Sequence, residues 1–440
     1  MPPAASRFLV FGLAAALGAS PAAAADLLAI RAGRLIDGTG AAPARDVVIL
    51  VEGTRIKAVG PGLAVPPGAR VLDLSGQTVL PGFIDAHVHL IGRGIGEGPN
   101  WEDAATRDLP ALGAIYGVRN AGLTLEAGFT TVRNVGAADF ADIALRDAIR
   151  SGVVPGPRIV AAGHSIGITG GHCDDNGFAP GILEPVLGRG IADGPAEILK
   201  EVRYQVKHGA DVIKFCATGG VLSEGDAVGI QQYTAEEMKV LVDEAHLTGR
   251  RVAAHAHGNA GIKAAIAAGV DSIEHGSEID DETIALFRKH GTWLVPTLMA
   301  QESVEARSRS GVLTGQRAEK ALSIAPRARA SFRKAAGAGV KIALGSDAGV
   351  FAHGTQGREF VLMVEHGLSP MQAIQAGTRG AADLLGLAAE LGTVEAGRIA
   401  DLVAVSGDPL ADIQVLTHPV FVLHEGRVAR DDTAVGAPGR

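Results

Sequence analysis

Between residues 83 and 385, short apolar runs rich in β-branched residues alternate with amphipathic helical patterns. Few architectures accommodate such an alternation, and repeated βα units packing a parallel sheet are foremost among them. The strand-like runs fall at 83–89, 129–135, 158–163, 212–216, 252–257, 272–275, 293–298 and 342–347, eight in all. Helical patterns fill most of the gaps, as at 196–207, 235–247, 261–268 and 281–289, with Thr234 and Asp280 placed as N-caps; residues 370–385 read as a last amphipathic helix. Eight βα units close into a (β/α)8 TIM barrel of about 250 residues. The 440 residues leave room for a smaller domain beside it.

The first barrel run carries Pro81-Gly82-Phe83-Ile84-Asp85-Ala86-His87-Val88-His89-Leu90. Successive strand side chains point to opposite faces, so His87 and His89 share one face, where two neutral imidazoles can ligate a single metal ion. An isolated pair of this kind can equally be two polar residues ending a strand, and its partners must decide. They stand at the ends of other runs: Lys214 within 211–216, His255 and His257 within 251–257, His275 closing 272–275 and Asp347 closing 341–347. All lie toward C-terminal strand ends, where such barrels place their active sites. Glu274 alternates to the face opposite His275 and reads as structural.

These five motifs, in this order, resemble the amidohydrolase superfamily. The nearest likeness is to the branch with imidazolonepropionase-like enzymes, secreted Xaa-Pro-type dipeptidases and ochratoxin-degrading amidohydrolases. The resemblance implies that His87, His89 and Asp347 hold one divalent ion, that His255 and His275 hold a second, and that Lys214 bridges both as a carbamate. An ordinary lysine, with a pKa of ~10.4, is a poor ligand, but burial yields a neutral amine able to capture carbon dioxide. His257 is then assigned to the substrate carbonyl as an oxyanion donor, although it faces the same way as His255 and the two could exchange roles. Asp347 serves as base and then acid. His172, Tyr233 and Arg358 are candidates to grip the substrate. Imidazole, carbamate and carboxylate ligands suit zinc, with cobalt, manganese and iron left open.

Short strand-like segments also occur at 27–31, 47–51, 55–59, 70–74 and 78–80, and again at 399–405 and 420–429, where they read as small antiparallel strands. By the same resemblance, 26–80 and 391–440 join as one discontinuous β-sandwich domain beside a barrel spanning 81–390. Residues 1–25 combine Arg7, an apolar run at 8–17 and Ala23-Ala24-Ala25, the pattern of a secretory signal peptide. The mature chain is therefore expected to be exported, periplasmic or secreted, with no membrane span. Net charge is −8, and −9 without Arg7, so no basic field attracts nucleic acid or an anionic membrane. Cys173 and Cys216 form no disulfide framework, though one bridge between them stays open. Connections at 91–109, 165–194, 219–233 and 300–325 exceed a minimal βα linker and are expected to shape the pocket.

The function that follows is a binuclear metal-dependent amidohydrolase acting on dipeptides or N-acyl amino acids, ochratoxin A among them. It would remove a C-terminal amino acid. Related enzymes assemble as homo-oligomers, commonly octamers, and the resemblance implies the same here. Hydrolysis of a cyclic amide, as by imidazolonepropionase, is the second reading, opposed by the export signal and by the single metal usual in that enzyme. A non-catalytic binding barrel is the third, opposed by the presence of all six ligand positions.

Overall fold

A computed structural model describes residues 27–94 and 101–433. The expected leader at 1–25 lies outside the described residues. The N-terminal strands are β1 (Leu27–Leu35), β2 (Ala44–Glu52), β3 (Arg55–Pro61) and β4 (Arg70–Pro81). The barrel contributes β5 (Phe83–Val88), β6 (Phe129–Asn134), β7 (Arg158–Ala161), β8 (Val212–Cys216), β9 (Arg251–Ala256), β10 (Ser272–His275) and β11 (Trp293–Val295). The C-terminal strands are β12 (Leu402–Ser406), β13 (Pro419–His424) and β14 (Arg427–Asp431).

The two ends of the chain form one seven-stranded sheet, ordered β14-β13-β12-β4-β1-β2-β3. Its pairs are antiparallel as expected except β1 and β4, which run parallel. The runs at 70–74 and 78–80 are a single strand, β4, and the register shifts between Ala32 and Arg34 where Gly33 passes it. A side chain on Gly33 would come within 1.9 Å of the Ser75 carbonyl oxygen. Arg55 bridges Ile399 beyond the sheet edge, so the sheet curls around its own apolar core, which includes Ile30, Ile49, Val79, Leu402 and Phe421. The separate domain built from both chain ends is thus present.

The barrel sheet has two parallel arcs, β5-β6-β7 and β11-β10-β9-β8. Ile166 closes one seam: its N–H donates to the Lys214 carbonyl (2.8 Å) and its carbonyl accepts from Cys216 N–H (2.9 Å). The other seam is the run expected as the eighth strand. It is not a regular strand but touches its neighbours through single bridges, Ile342 to Leu294 and Ala348 to Val88. Gly345 lets this run pass close to β5, because a Cβ there would lie 2.9 Å from the Cβ of His87. Asp85 fastens this seam, accepting from Ser346 N–H (3.0 Å) and Oγ–H (2.5 Å).

Helices cover the barrel much as the periodicity predicts. The helix Ala235–Leu247 begins at Thr234 in a reciprocal capping box with Glu237, and Asp280 caps Asp281–His290 through Thr283 N–H at 2.8 Å. Residues 300–325 differ from the expected loop. Apart from 310–314 they belong to two packed helices, Leu298–Arg309 and Gly315–Gly337, whose Val304, Ala321 and Ile324 share a small core with Val221. The run at 370–385 is helical but interrupted by a π-turn at Ala376–Gly380.

Candidate metal centre

His87 and His89 stand at the end of β5, and the returning seam brings Asp347 between them. Asp347 Oδ1 lies 3.5 Å from the Nε2 atom of each imidazole. Glycines make this approach possible: a Cβ on Gly349 would fall 2.9 Å from that of His89, as one on Gly345 would from that of His87. A second cluster, His255, His257 and His275, also has its ligand atoms within 4.8 Å of one another. The two clusters adjoin, with the His87 and His275 rings 5.1 Å apart. Lys214, on β8, lines the same cavity.

Backbone strain accompanies this convergence. His275 (φ 69°), Thr297 (φ 49°) and Asp347 (φ 63°) are all left-handed at barrel strand ends. Such conformations cost roughly 1–3 kcal/mol each and persist where surrounding structure holds them. At His275 the consequence is direct. Strict alternation would turn it away from the face of Glu274, but the left-handed residue redirects the chain, and both side chains enter the barrel.

Glu274 is therefore not on an outer face as the alternation suggests. It is fully buried, and its Oε2 lies 2.7 Å from His87 Nδ1. Its Oε1 accepts from Arg133 Nη2 (2.8 Å) and Ser272 Oγ (2.5 Å). The sequence pattern gave no sign of Arg133, which reaches inward from near the C-terminal end of β6. Two of the other imidazoles have hydroxyl partners, His275 Nδ1 with Thr297 Oγ1 and His257 Nδ1 with Ser277 Oγ, each at 2.7 Å.

Electrostatics favour neutral imidazoles. Burial foremost, reinforced by Lys214 and the neighbouring histidines, holds His87, His255 and His275 well below the ordinary histidine value and His89 at about 4. Neutral imidazole is the ligating form. Burial also lowers Lys214 to about 8, against the opposing charges of Glu274 and Asp347, and raises Asp347 to about 7. One atom tests the fit to a metal most sharply: His255 Nε2 is buried with no hydrogen-bond partner. A buried ring nitrogen without a partner costs roughly 1–3 kcal/mol, which a coordinated cation would remove. The residues present fit divalent ions at both clusters.

Of the residues proposed to grip substrate, the structure brings only His172 to the cavity. Its ring lies 4.1 Å from that of His255, and a Cβ on Gly220 would strike it at 2.2 Å. Ser223 Oγ donates to Asp226 Oδ1 (2.7 Å), so it accepts from His172 Nδ1–H (2.8 Å) and leaves His172 Nε2 unprotonated. Lys320 Nζ anchors Asp226 at 2.7 Å. Cys173 and Cys216 are disulfide-bonded, tying the loop of His172 to β8. Tyr233 is a correction: it is buried in the core, its hydroxyl donating to the Ala192 carbonyl at 2.9 Å, and it does not line the cavity. Arg358 is another, because Glu302 and Glu365 hold its guanidinium, each at 3.0 Å, away from the cavity. The cavity measures about 310 Å³, and Val221, Leu222, Gln301, Val304 and Val350 are among the residues that line it.

The model of the amidohydrolase family matches residues 78–429. The chain belongs to that family. Among its amidohydrolase relatives, the ochratoxinase of Aspergillus niger is 34% identical over 413 residues, covering 90% of this chain and 84% of the relative. A solved Xaa-Pro dipeptidase with methionine bound in its active site superposes with a TM-score of 0.87 at 42% identity, over 91% of this chain and 99% of that one. A prolidase complexed with N-methylphosphonate-L-proline gives a TM-score of 0.84 at 31% identity, over 92% and 100%. The amidohydrolase fold and the paired ligand clusters together identify a metal-binding catalytic scaffold suited to C–N bond hydrolysis.

Proposed function

We propose that this protein is an exported two-metal amidohydrolase that cleaves the amide bond of dipeptides or N-acyl amino acids and releases a C-terminal amino acid. The observation that carries the reading is the adjacency of two ligand clusters across one barrel mouth, with a buried lysine lining the same cavity. His87, His89 and Asp347 would hold one ion, His255 and His275 the other, and Lys214, as a carbamate, would serve both. Zinc suits this donor set. Two bound cations would supply water activation and carbonyl polarisation.

The chain's own groups then divide the work. Asp347 Oδ1 faces two imidazoles, which leaves Oδ2 to take a proton from water and deliver it to the departing nitrogen. His257 Nδ1 lies 2.7 Å from Ser277 Oγ, and with that hydroxyl as donor His257 Nε2–H would donate to the carbonyl oxygen as it gains charge. His172 Nε2, unprotonated, accepts an N–H of the substrate rather than gripping its carboxylate. The apolar wall of Val221, Leu222, Val304 and Val350 takes a hydrophobic portion of the substrate. The named specificities of the dipeptidase, prolidase and ochratoxinase relatives support a substrate with a C-terminal amino acid. The Cys173–Cys216 bridge supports an oxidising compartment, in keeping with export. An octameric assembly is part of the same proposal and rests on resemblance.

The test is a screen of dipeptides and N-acyl amino acids, ochratoxin A included, with product amino acids identified by mass spectrometry. Release of free C-terminal amino acids is expected. Turnover confined to cyclic amides would move the assignment to the imidazolonepropionase type, and no turnover on any class would favour a binding barrel.

A further inference from the structure

The barrel interior beneath the candidate metal centre holds a buried ion pair that none of the expected roles uses. Arg133 and Glu274 are each at most 1% exposed, and their polar atoms form a closed set. Arg133 Nε donates to the Ala86 carbonyl (2.6 Å), Nη1 to Ser272 Oγ (3.1 Å) and Nη2 to Glu274 Oε1 (2.8 Å). Ser272 Oγ donates to Glu274 Oε1 as well (2.5 Å). Both donors converge on one carboxylate oxygen. The other, Oε2, is left to His87 Nδ1 at 2.7 Å.

A carboxylate whose charge is matched by a guanidinium is an acceptor only, so the proton in this contact sits on His87 Nδ1. The lone pair of His87 is thereby fixed on Nε2, the atom facing Asp347. Among the described residues, His87 alone of the clustered imidazoles has a carboxylate on its Nδ1: His89 has the Gly136 carbonyl, His257 and His275 have hydroxyls, and His255 has no acidic partner. Carboxylate contact raises imidazole basicity and fixes ring orientation, and losing it elsewhere typically lowers metal affinity about 10–100-fold.

We propose that Glu274, held by Arg133 and Ser272, is a positioning residue that locks His87 in its Nδ1–H tautomer and makes the His87, His89 and Asp347 cluster the tighter of two unequal metal positions. The inference rests on the two-metal reading above and deepens it. Removing Glu274 alone would strand a buried guanidinium, so the informative variant is Arg133→Met/Glu274→Gln, which removes both charges at nearly constant volume.

Zinc-loaded wild-type and variant proteins are dialysed against graded chelator, and bound zinc is counted at each free-metal level. The tighter of the two wild-type affinities should weaken about 10–100-fold in the variant while the other is retained. Equal affinities in wild type, or both retained in a folded variant, would overturn the proposal. A wild type that never holds two ions would overturn it together with the two-metal reading. A second measurement needs no variant: a neutron structure of the zinc-loaded protein should place a deuteron on His87 Nδ1 toward Glu274. A bare Nδ1 facing a protonated Glu274 would contradict the assignment whatever the variant does.

Discussion

At the residue scale, the site depends on groups that are ordinary except for where the backbone leaves them. The convergence of His87, His89 and Asp347 with His255, His257 and His275 was legible because a period-two strand ending at a barrel mouth presents alternate residues together, as with His87 and His89. What alternation could not convey was the left-handed turn at His275, φ 69°, which admits Glu274 and His275 to the same interior. Tyr233 and Arg358 were misplaced for a related reason: their partners, the Ala192 carbonyl and the Glu302 and Glu365 carboxylates, come from segments remote in sequence or on a surface no motif describes. The residue with most at stake is Asp347. If it transfers the proton, Asp347→Asn should bind substrate with little change while the single-turnover rate falls by roughly 10²–10⁴-fold, or further if metal is also lost. A variant with full metal content and an unchanged rate would remove Asp347 from proton transfer.

At the element scale, the cavity wall is completed by segments pinned onto the barrel. The connections at 165–194 and 219–233 meet at the cavity, one carrying His172 and the other presenting Gly220, Ser223 and Asp226 to it. Their excess length was visible in the sequence. Their mutual packing was not, since nothing in spacing relates Gly220 to a ring it must lie against. The expected loop at 300–325 proved helical apart from 310–314, and its apolar residues share a core with Val221. The Cys173–Cys216 bridge fixes the first connection one residue beyond His172, closing a span of 43 residues. By chain entropy such a closure stabilises by up to ~4 kcal/mol, and engineered examples commonly deliver less. Cys173→Ala/Cys216→Ala is therefore expected to lower the urea midpoint and to reduce kcat/KM several-fold, with metal content unchanged. An identical kcat/KM in the variant would show that the bridge serves stability alone and does not position His172.

For the whole molecule, the barrel and the terminal sheet are joined where β4 runs straight into β5. Gly82 makes the passage possible: its N–H donates to the Asp401 carbonyl at 2.8 Å, and a Cβ there would lie 2.2 Å from Thr130 Oγ1. The Asp401 side chain ties the same joint, accepting from Arg158 (2.9 Å) on the barrel side and from His424 (3.0 Å) and Glu425 N–H (2.7 Å) on the sheet side. The fold class and both terminal groups of strands were legible from periodicity, but this joint was not, because it depends on contacts between residues more than two hundred positions apart. Burial pushes the Asp401 carboxyl up, yet His424 and Arg158 outweigh it and hold the carboxyl below its ordinary 3.8. Its folded pKa is thus depressed, so its contribution is present above the unfolded value and is lost as pH falls through the folded one. Asp401→Asn should cost ~3 kcal/mol at neutral pH, near the low end for a broken buried pair because Arg158 keeps Glu425. In urea unfolding the gap from wild type should narrow below about pH 4; a gap independent of pH would assign the loss to packing instead. The central claim, two ions acting at one amide bond, is tested most directly by stripping the purified protein of metal and following release of the C-terminal amino acid while zinc is added back. Activity should be absent in the stripped protein and should rise until two equivalents per chain are bound, whereas full activity without metal, or a plateau at one equivalent, would contradict it.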